Sequence, residues 1–183
     1  MLYMIRHGRT DWNNRRKIQG QTDVPLNDEG REMARKAAAA CAEIPFDVCF
    51  CSPLDRAKET AEILLAGRQV PIVFDERLKE MSFGIYEGIE KSFDIPDCPI
   101  NRFFFTPAEY VEAVEGGEST YELLDRVSAF LTEQINPRLE RGEHILIVGH
   151  GAVNEAIYCK VMERPVEEFF REPMENCRLI RLK

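Results

Sequence analysis

Two histidines stand directly behind short apolar runs. Arg6-His7-Gly8 follows Leu2-Tyr3-Met4-Ile5, and Gly149-His150-Gly151 follows Ile145-Leu146-Ile147-Val148. Short runs of this composition, closed by glycine or charge, read as buried strands, so each imidazole arrives at the C-terminal end of a strand. A third junction, Ser52-Pro53-Leu54-Asp55-Arg56, follows the strand-like residues 47–51. In open α/β sheets, ligands settle outside the carboxyl ends of the strands, where loops and helix N-termini converge. Arg6, Arg56, His7 and His150 meeting there would suit a dianionic phosphate, because each guanidinium offers a planar fork of donors matched to phosphate oxygens. Electrostatic clamping of this kind is usually the largest contribution to phosphoryl transfer.

A clamp alone is a binding site, and the histidine decides what more it can do. A neutral imidazole nitrogen can attack phosphorus in line and give a phosphohistidine that water then hydrolyses. Arg6 and Arg56 favour that neutral form, since nearby positive charge lowers a histidine pKa. The departing oxygen needs a proton. Among the acids Glu80 is the best placed, in a loop bracketed by aromatics and glycine instead of on a helix face, with Glu87 the competing choice. His144, in Gly142-Glu143-His144, is read as exposed and outside the site.

These residues need a frame, and the chain reads as strands and helices in alternation with no internal repeat, which predicts an α/β sheet packed on both faces. Asn27 is a candidate N-cap for a helix carrying Met33, Ala34, Ala37, Ala38 and Cys41 at helical spacing. Ser52 as N-cap, Pro53 as N1 and Asp55 as N3 mark the next helix, with Arg56 in its first turn. Residues 70–74 are a weaker strand, limited by Pro71. Residues 89–117, with three prolines and the aromatics Phe93, Phe103, Phe104, Phe105 and Tyr110, form an irregular excursion that either caps the site or anchors a loop to the core. Ser119-Thr120-Tyr121-Glu122 is a capping box opening a helix whose Leu124, Val127, Leu131 and Ile135 share one face, with Pro137 ending or kinking it. A helix over about 152–162 and an alternating edge strand at 177–182 complete the prediction.

Composition bounds the reading. The 183 residues suffice for one domain and are few for two, so residues 1–183 are taken as a single unit with 89–117 as its excursion. No apolar run approaches the ~20 residues of a membrane-spanning helix. Polar sequence begins at Arg6, which leaves no room for the apolar stretch of a secretory signal, so the cytoplasm is the expected compartment. Six cysteines without C-x-x-C spacing, set in apolar segments, predict buried free thiols and no metal site. A net charge of −8 argues against nucleic acid or an anionic membrane as partner. Residues 1–20 run against that trend, with five basic groups and one acid. A local basic spot suits a small anion, while Arg15, Arg16 and Lys17 read as a solvated loop.

Taken together, the segments resemble the histidine phosphatase superfamily, which includes the cofactor-dependent phosphoglycerate mutases. Arg6-His7-Gly8-Arg9-Thr10-Asp11-Trp12-Asn13 is similar to R-H-G-x-T-x-x-N, and Gln19-Gly20 and Pro25-Leu26 to the stretch that follows it. Ser52-Pro53-Leu54-Asp55-Arg56-Ala57 resembles S-P-L-x-R-A, residues 78–88 resemble L-x-E-x-x-x-G-x-x-E-G, and Gly149-His150-Gly151 the second histidine site. The matches fall in family order along nearly the whole chain. The resemblance implies a three-layer α/β sandwich with a mostly parallel sheet and an antiparallel edge strand. It implies His7 as nucleophile, Glu80 as proton donor and then base, and Arg6, Arg56 and His150 as the phosphate pocket. Asn13 is a further contact, with Gln19, Gly20 and Gly151 beside it, and no metal or organic cofactor is needed.

Within the family, mutases hold the sugar-acid phosphate with paired arginines in an insert after the Glu segment. Here Gly88 to Gly116 contains only Lys91 and Arg102 as bases, and Gly116-Gly117-Glu118-Ser119 looks like the phosphatase branch. Hydrolysis of a small phosphomonoester is therefore expected, with a 2,3-bisphosphoglycerate-dependent mutase as the alternative and a non-catalytic phosphate-binding module as the reading from another class. The base-poor, aromatic excursion disfavours bisphosphates and leaves α-ribazole phosphate, sugar phosphates and phosphoserine open, as it does a homodimer.

Overall fold

Period-two alternation along the strands sorts their side chains into two apolar cores, one on each face of a sheet. The computed structural model describes residues 1–171 and 174–183. Its elements are β1 (Leu2–Arg6), α1 (Asp11–Asn14), α2 (Asp28–Ala40), β2 (Val48–Cys51), α3 (Asp55–Leu64), β3 (Ile72–Phe74), α4 (Asn101–Phe105), α5 (Thr120–Phe130), α6 (Asn136–Glu140), β4 (Ile145–Gly149), α7 (Gly151–Val161) and β5 (Leu179–Arg181). The strands form one sheet in the order β3-β2-β4-β1-β5, parallel except for β5, which runs antiparallel along the edge. Leu2, Met4, Val48, Phe50, Ile145 and Ile147 face the core built with α5 and α7. Tyr3, Ile5, Cys49, Cys51, Leu146 and Val148 face the core built with α2 and α3. The expected three-layer α/β architecture is the one adopted.

Local signals explain most boundaries. Asn27 caps α2, its Oδ1 accepting from Gly30 N–H at 2.8 Å. Ser119 and Glu122 form the expected capping box at the start of α5, each side chain accepting from the other's backbone N–H. The helix does not stop at Pro137: a π turn over Leu131–Ile135 comes first, and the helix resumes as α6 with the proline in its first turn, where a missing N–H costs nothing. Leu124, Val127, Leu131 and Ile135 are all buried, as their spacing requires.

Three expectations need correction. Ser52 is not the N-cap of α3, which starts at Asp55 behind Leu54 with no side-chain cap; the serine lies too early in the chain, its hydroxyl accepting from Leu54 N–H and meeting His150 Nε2. His144 is half-buried, its N–H bonded to Asp47 Oδ2 at 2.7 Å and its carbonyl accepting from Asp47 N–H at 2.8 Å. The edge elements are short: β3 begins after Pro71, and β5 spans only Leu179–Arg181. All six cysteines are free thiols, five of them buried. No helix among the described residues is long and apolar enough to cross a membrane.

The segment leaving β1 crosses the first turn of α2 at backbone contact. A Cβ on Gly8 would lie 2.5 Å from Gly30 O, and one on Gly30 would lie 2.1 Å from Arg9 O. This crossing fixes the direction in which the chain leaves His7. Gly30→Ala should lower the urea unfolding free energy by about 1–3 kcal/mol, the usual cost of forcing a methyl into packed backbone. An unchanged denaturation midpoint would contradict the close crossing.

Candidate active site

Register brings the two histidines together. Pairing of β1 with β4 ends with Arg6 opposite Gly149, so the next residue on each strand is a histidine. His7 N–H donates to Gly149 O at 3.0 Å, and the two ring centroids lie 5.1 Å apart. On the other side of β4, pairing with β2 ends with Cys51 opposite Val148, which sets Ser52 level with Gly149 and its side chain within reach of His150. The Ser52 Oγ to His150 Nε2 distance is 2.7 Å.

One hydrogen bond sets the His7 tautomer. His7 Nδ1 lies 2.6 Å from Gly8 O; a carbonyl can only accept, so Nδ1 carries the proton and Nε2 keeps its lone pair. Ser52 Oγ accepts from Leu54 N–H at 3.3 Å and shares a hydrogen bond with His150 Nε2. His150 Nδ1 is a buried atom without a hydrogen-bond partner among the described residues. Burial, with Arg56 and Arg6 next, holds His7 well below the usual imidazole pKa, against an opposing pull from the Gly8 carbonyl. His150 is pushed down in the same way, by burial first and then by Arg56, His7, Arg6 and Arg126.

Two buried guanidiniums frame the pair. Arg56 is fully buried; its Nη1 and Nη2 donate to Thr22 O at 2.9 Å and Gly20 O at 2.7 Å. Burial pulls its pKa down to about 10, so it is still a cation at neutral pH. Arg6, likewise lowered chiefly by burial, donates from Nη1 to Met174 O at 2.9 Å. In both residues Nε is buried without a partner among the described residues. Two desolvated cations with spare donors constitute a site that an anion would complete.

The two candidate carboxylates occupy different settings. Glu80 lies at the N-terminus of α7, where Oε1 accepts from Met81, Ala152 and Val153 N–H at 2.9, 3.1 and 3.2 Å. Its Oε2 shares only Ala152 N–H, at 3.2 Å. Its backbone carbonyl is held by Gln21 at 3.1 Å and by Arg126 at 3.3 Å, and Arg126 is itself anchored on Glu118. Glu87 instead accepts from the N–H groups of Gln21, Thr22 and Phe83 and from the Thr22 hydroxyl. It therefore builds the loop whose carbonyls hold Arg56. Gly20 makes that loop possible, since its φ is +54° and a Cβ there would lie 2.1 Å from Glu87 Oε1.

A cavity of about 650 Å³ opens on this cluster and is lined by Arg6, His7, Asn13, Gln19, Gly20, Arg56, Glu80 and Gly151 among others. His150 sits behind it, fully buried. Thr10 donates its backbone N–H to Asn13 Oδ1 and its hydroxyl to Gln19 Oε1, each at 3.0 Å, so the two NH₂ groups are the ends left for a ligand. Gly151 is packed so that a Cβ would lie 3.5 Å from Glu80 Oε2 and 3.6 Å from Arg6 Cζ. Sequence reasoning missed other parts of the lining. Phe83, Phe170 and Met174 belong to it, and so does Lys17, read above as solvated. The Phe169-Phe170 pair, a second aromatic cluster in an irregular stretch, was the available signal.

A sequence profile of the Histidine phosphatase superfamily (branch 1) matches residues 2–183. The chain belongs to that superfamily. It is 30% identical over 184 residues to the 2,3-bisphosphoglycerate-dependent phosphoglycerate mutase 2 of Gloeobacter violaceus, covering 97% of this chain and 82% of that protein. Among solved structures, Bacillus stearothermophilus YhfR superposes with a TM-score of 0.86 at 31% identity, over 97% of this chain and 88% of that one. The α-ribazole phosphatase from Shigella flexneri superposes with a TM-score of 0.81 at 27% identity, over 97% and 87%. The chain is thus an enzyme of a superfamily that holds hydrolases and mutases.

The depressed histidines make stability pH-dependent. Unfolding returns each imidazole to its ordinary pKa near 6.5, so below that pH, down to the lowered folded-state values, the unfolded chain binds more protons. Folded stability is then full about one pH unit above 6.5 and falls as pH drops through that value, by up to about 1.4 kcal/mol per pH unit for each histidine. Urea denaturation at pH 7.5, 6.5 and 5.5 should show the larger loss in the lower interval. Long-range ¹H–¹⁵N spectra at pH 6 should report His7 as the neutral Nδ1–H tautomer, and an imidazolium signal there would refute the assignment.

Proposed function

We propose that this chain is a metal-independent phosphomonoester hydrolase working through a phosphohistidine on His7. The observation that carries the reading is the lone pair on His7 Nε2: the Gly8 carbonyl claims the proton at Nδ1, and the neutral ring lies among Arg6, Arg56 and His150. With the phosphoryl oxygens on the two guanidiniums and beside His150, His7 Nε2 attacks phosphorus as the P–O bond to the leaving group breaks. Glu80 protonates the departing oxygen, and Oε2, the less engaged of its two oxygens, is the one suited to carry that proton. The resulting carboxylate then takes a proton from water, whose oxygen attacks phosphorus and breaks the P–N bond, releasing phosphate and free His7. Each step uses a side chain of this protein, and the reading calls for no cofactor.

The partner in this reading is a small phosphomonoester, met in the cytoplasm by a single unit in which residues 89–117 form a cap. Support for the cap is that Phe93, Phe104 and Phe105 line the cavity while Phe103 is fully buried beneath them. A mutase reading draws support from the Gloeobacter violaceus relative's name. Against it, Lys91 and Arg102, the bases of the excursion, do not line the cavity, and Arg102 is exposed beside Glu109 at 3.9 Å. A purely binding module would need neither a free imidazole lone pair nor a carboxylate beside it.

Hydrolysis of an aryl phosphate should fall at least about 10³-fold in His7→Ala and by about 10²–10⁴-fold in Glu80→Gln. Wild type without turnover, or His7→Ala with full turnover, would overturn the hydrolase. Efficient isomerisation of 3-phosphoglycerate that depends on 2,3-bisphosphoglycerate would make the mutase the correct reading.

A further inference from the structure

The half of the cavity away from the phosphate cluster is aromatic. Phe83 and Phe104 stack with centroids 5.5 Å apart and planes 20° from parallel. Phe93 meets Phe104 at 5.2 Å and Phe105 at 5.1 Å, and Phe170 meets Phe104 at 5.5 Å. Fully buried Phe103 backs the group, touching Phe83, Phe104 and Phe170. The wall is therefore one packed body with a fixed base. Yet its outer members are open to water, Phe93 at 58% and Phe105 at 66% exposure, and apolar surface left uncovered at the lip of a cleft marks a contact site.

Charge supports the same conclusion. Apart from Arg6 and Arg56, the cationic side chain lining the cavity among the described residues is Lys17. Its ammonium is already placed over the Trp12 ring at 5.0 Å and beside Glu90 at 3.8 Å. Glu175, the acid of the lining besides Glu80, lies 3.7 Å from Arg178. The leaving-group end thus offers ring faces and no spare cation. Arg9 and Arg16 line an adjoining cleft on the far side of Arg6 and Asn13 from the rings, where Arg9 is paired with Glu29 at 2.7 Å.

Building on the hydrolase reading, we infer that the preferred substrate is the phosphomonoester of an uncharged alcohol bearing an aromatic ring. The ring lies against Phe104, Phe93 and Phe105 while the phosphate sits at His7. Offset and edge-on ring contacts, together with the apolar area they cover, favour such a leaving group over a small or anionic one.

The test pairs 2-phenylethyl phosphate with ethyl phosphate, whose alcohols are both primary and aliphatic, and adds 3-phosphoglycerate as the anionic competitor. kcat/KM should favour the phenylethyl ester over the ethyl ester by at least roughly tenfold, the effect expected for covering one ring. Phe93→Ala and Phe105→Ala, both at exposed positions, should each shrink that ratio. Binding of 3-phenylpropylphosphonate and propylphosphonate, measured calorimetrically, reads the same preference without turnover. A ratio near one in both assays, or 3-phosphoglycerate as the best substrate, would overturn the inference while leaving hydrolysis intact. A phosphonate preference without turnover of any ester would sustain the aromatic subsite and overturn the hydrolase reading.

Discussion

The site depends on the hydrogen-bond register of three adjacent parallel strands. With Arg6 opposite Gly149, the residues that follow β1 and β4 are His7 and His150, and with Cys51 opposite Val148, Ser52 falls level with Gly149, one step before His150, so the three gather at one edge of the sheet. A slip by one residue would turn each side chain to the opposite face. Such a slip is opposed by the whole interior, since it would also exchange the two apolar cores that alternate along the same strands. The core thus fixes the register, and the register places the imidazoles.

Desolvation acts on what the register places. Arg56 and His150 are fully buried and His7 nearly so, at a depth where charge is expensive and neutral imidazole is favoured. The cations persist because their pKa starts high, whereas the histidines give way. One environment therefore yields two opposite protonation states: guanidiniums that attract an anion and imidazoles that keep a lone pair. The loop carbonyls of Gly20 and Thr22 hold Arg56 in place, and Glu87 organises that loop through backbone N–H groups from three residues.

Much of this frame was legible in the sequence because its signals are local. Apolar runs behind the histidines, the Asn27 cap and the Ser119 capping box each act over a few residues, and each element formed where these pointed. Ser52 shows where such reading fails. Its sequence neighbours look like a helix start, but α3 begins three residues later, and the hydroxyl meets His150, 98 positions away just beyond β4. Sequence alone favours Glu80 over Glu87 in the same loop, and the backbone N–H groups that each meets separate them. Phe103, Phe104 and Phe105 looked alike, yet the first is core and the other two face the cavity, a division set by Phe83 and Phe170 arriving from distant segments.

The division of labour around Phe103 has a consequence for how such a protein can change. Strand termini hold the imidazoles, whereas the opposing rings hang on residues 93–105 and 169–170, which contribute no strand to the sheet. Insertions, deletions or side-chain swaps in those outlying stretches can remodel what is admitted without disturbing the histidine pair. What is admitted and where the imidazoles sit are thus mechanically decoupled, so lineages sharing this scaffold are free to diversify their diets while keeping the same strand ends.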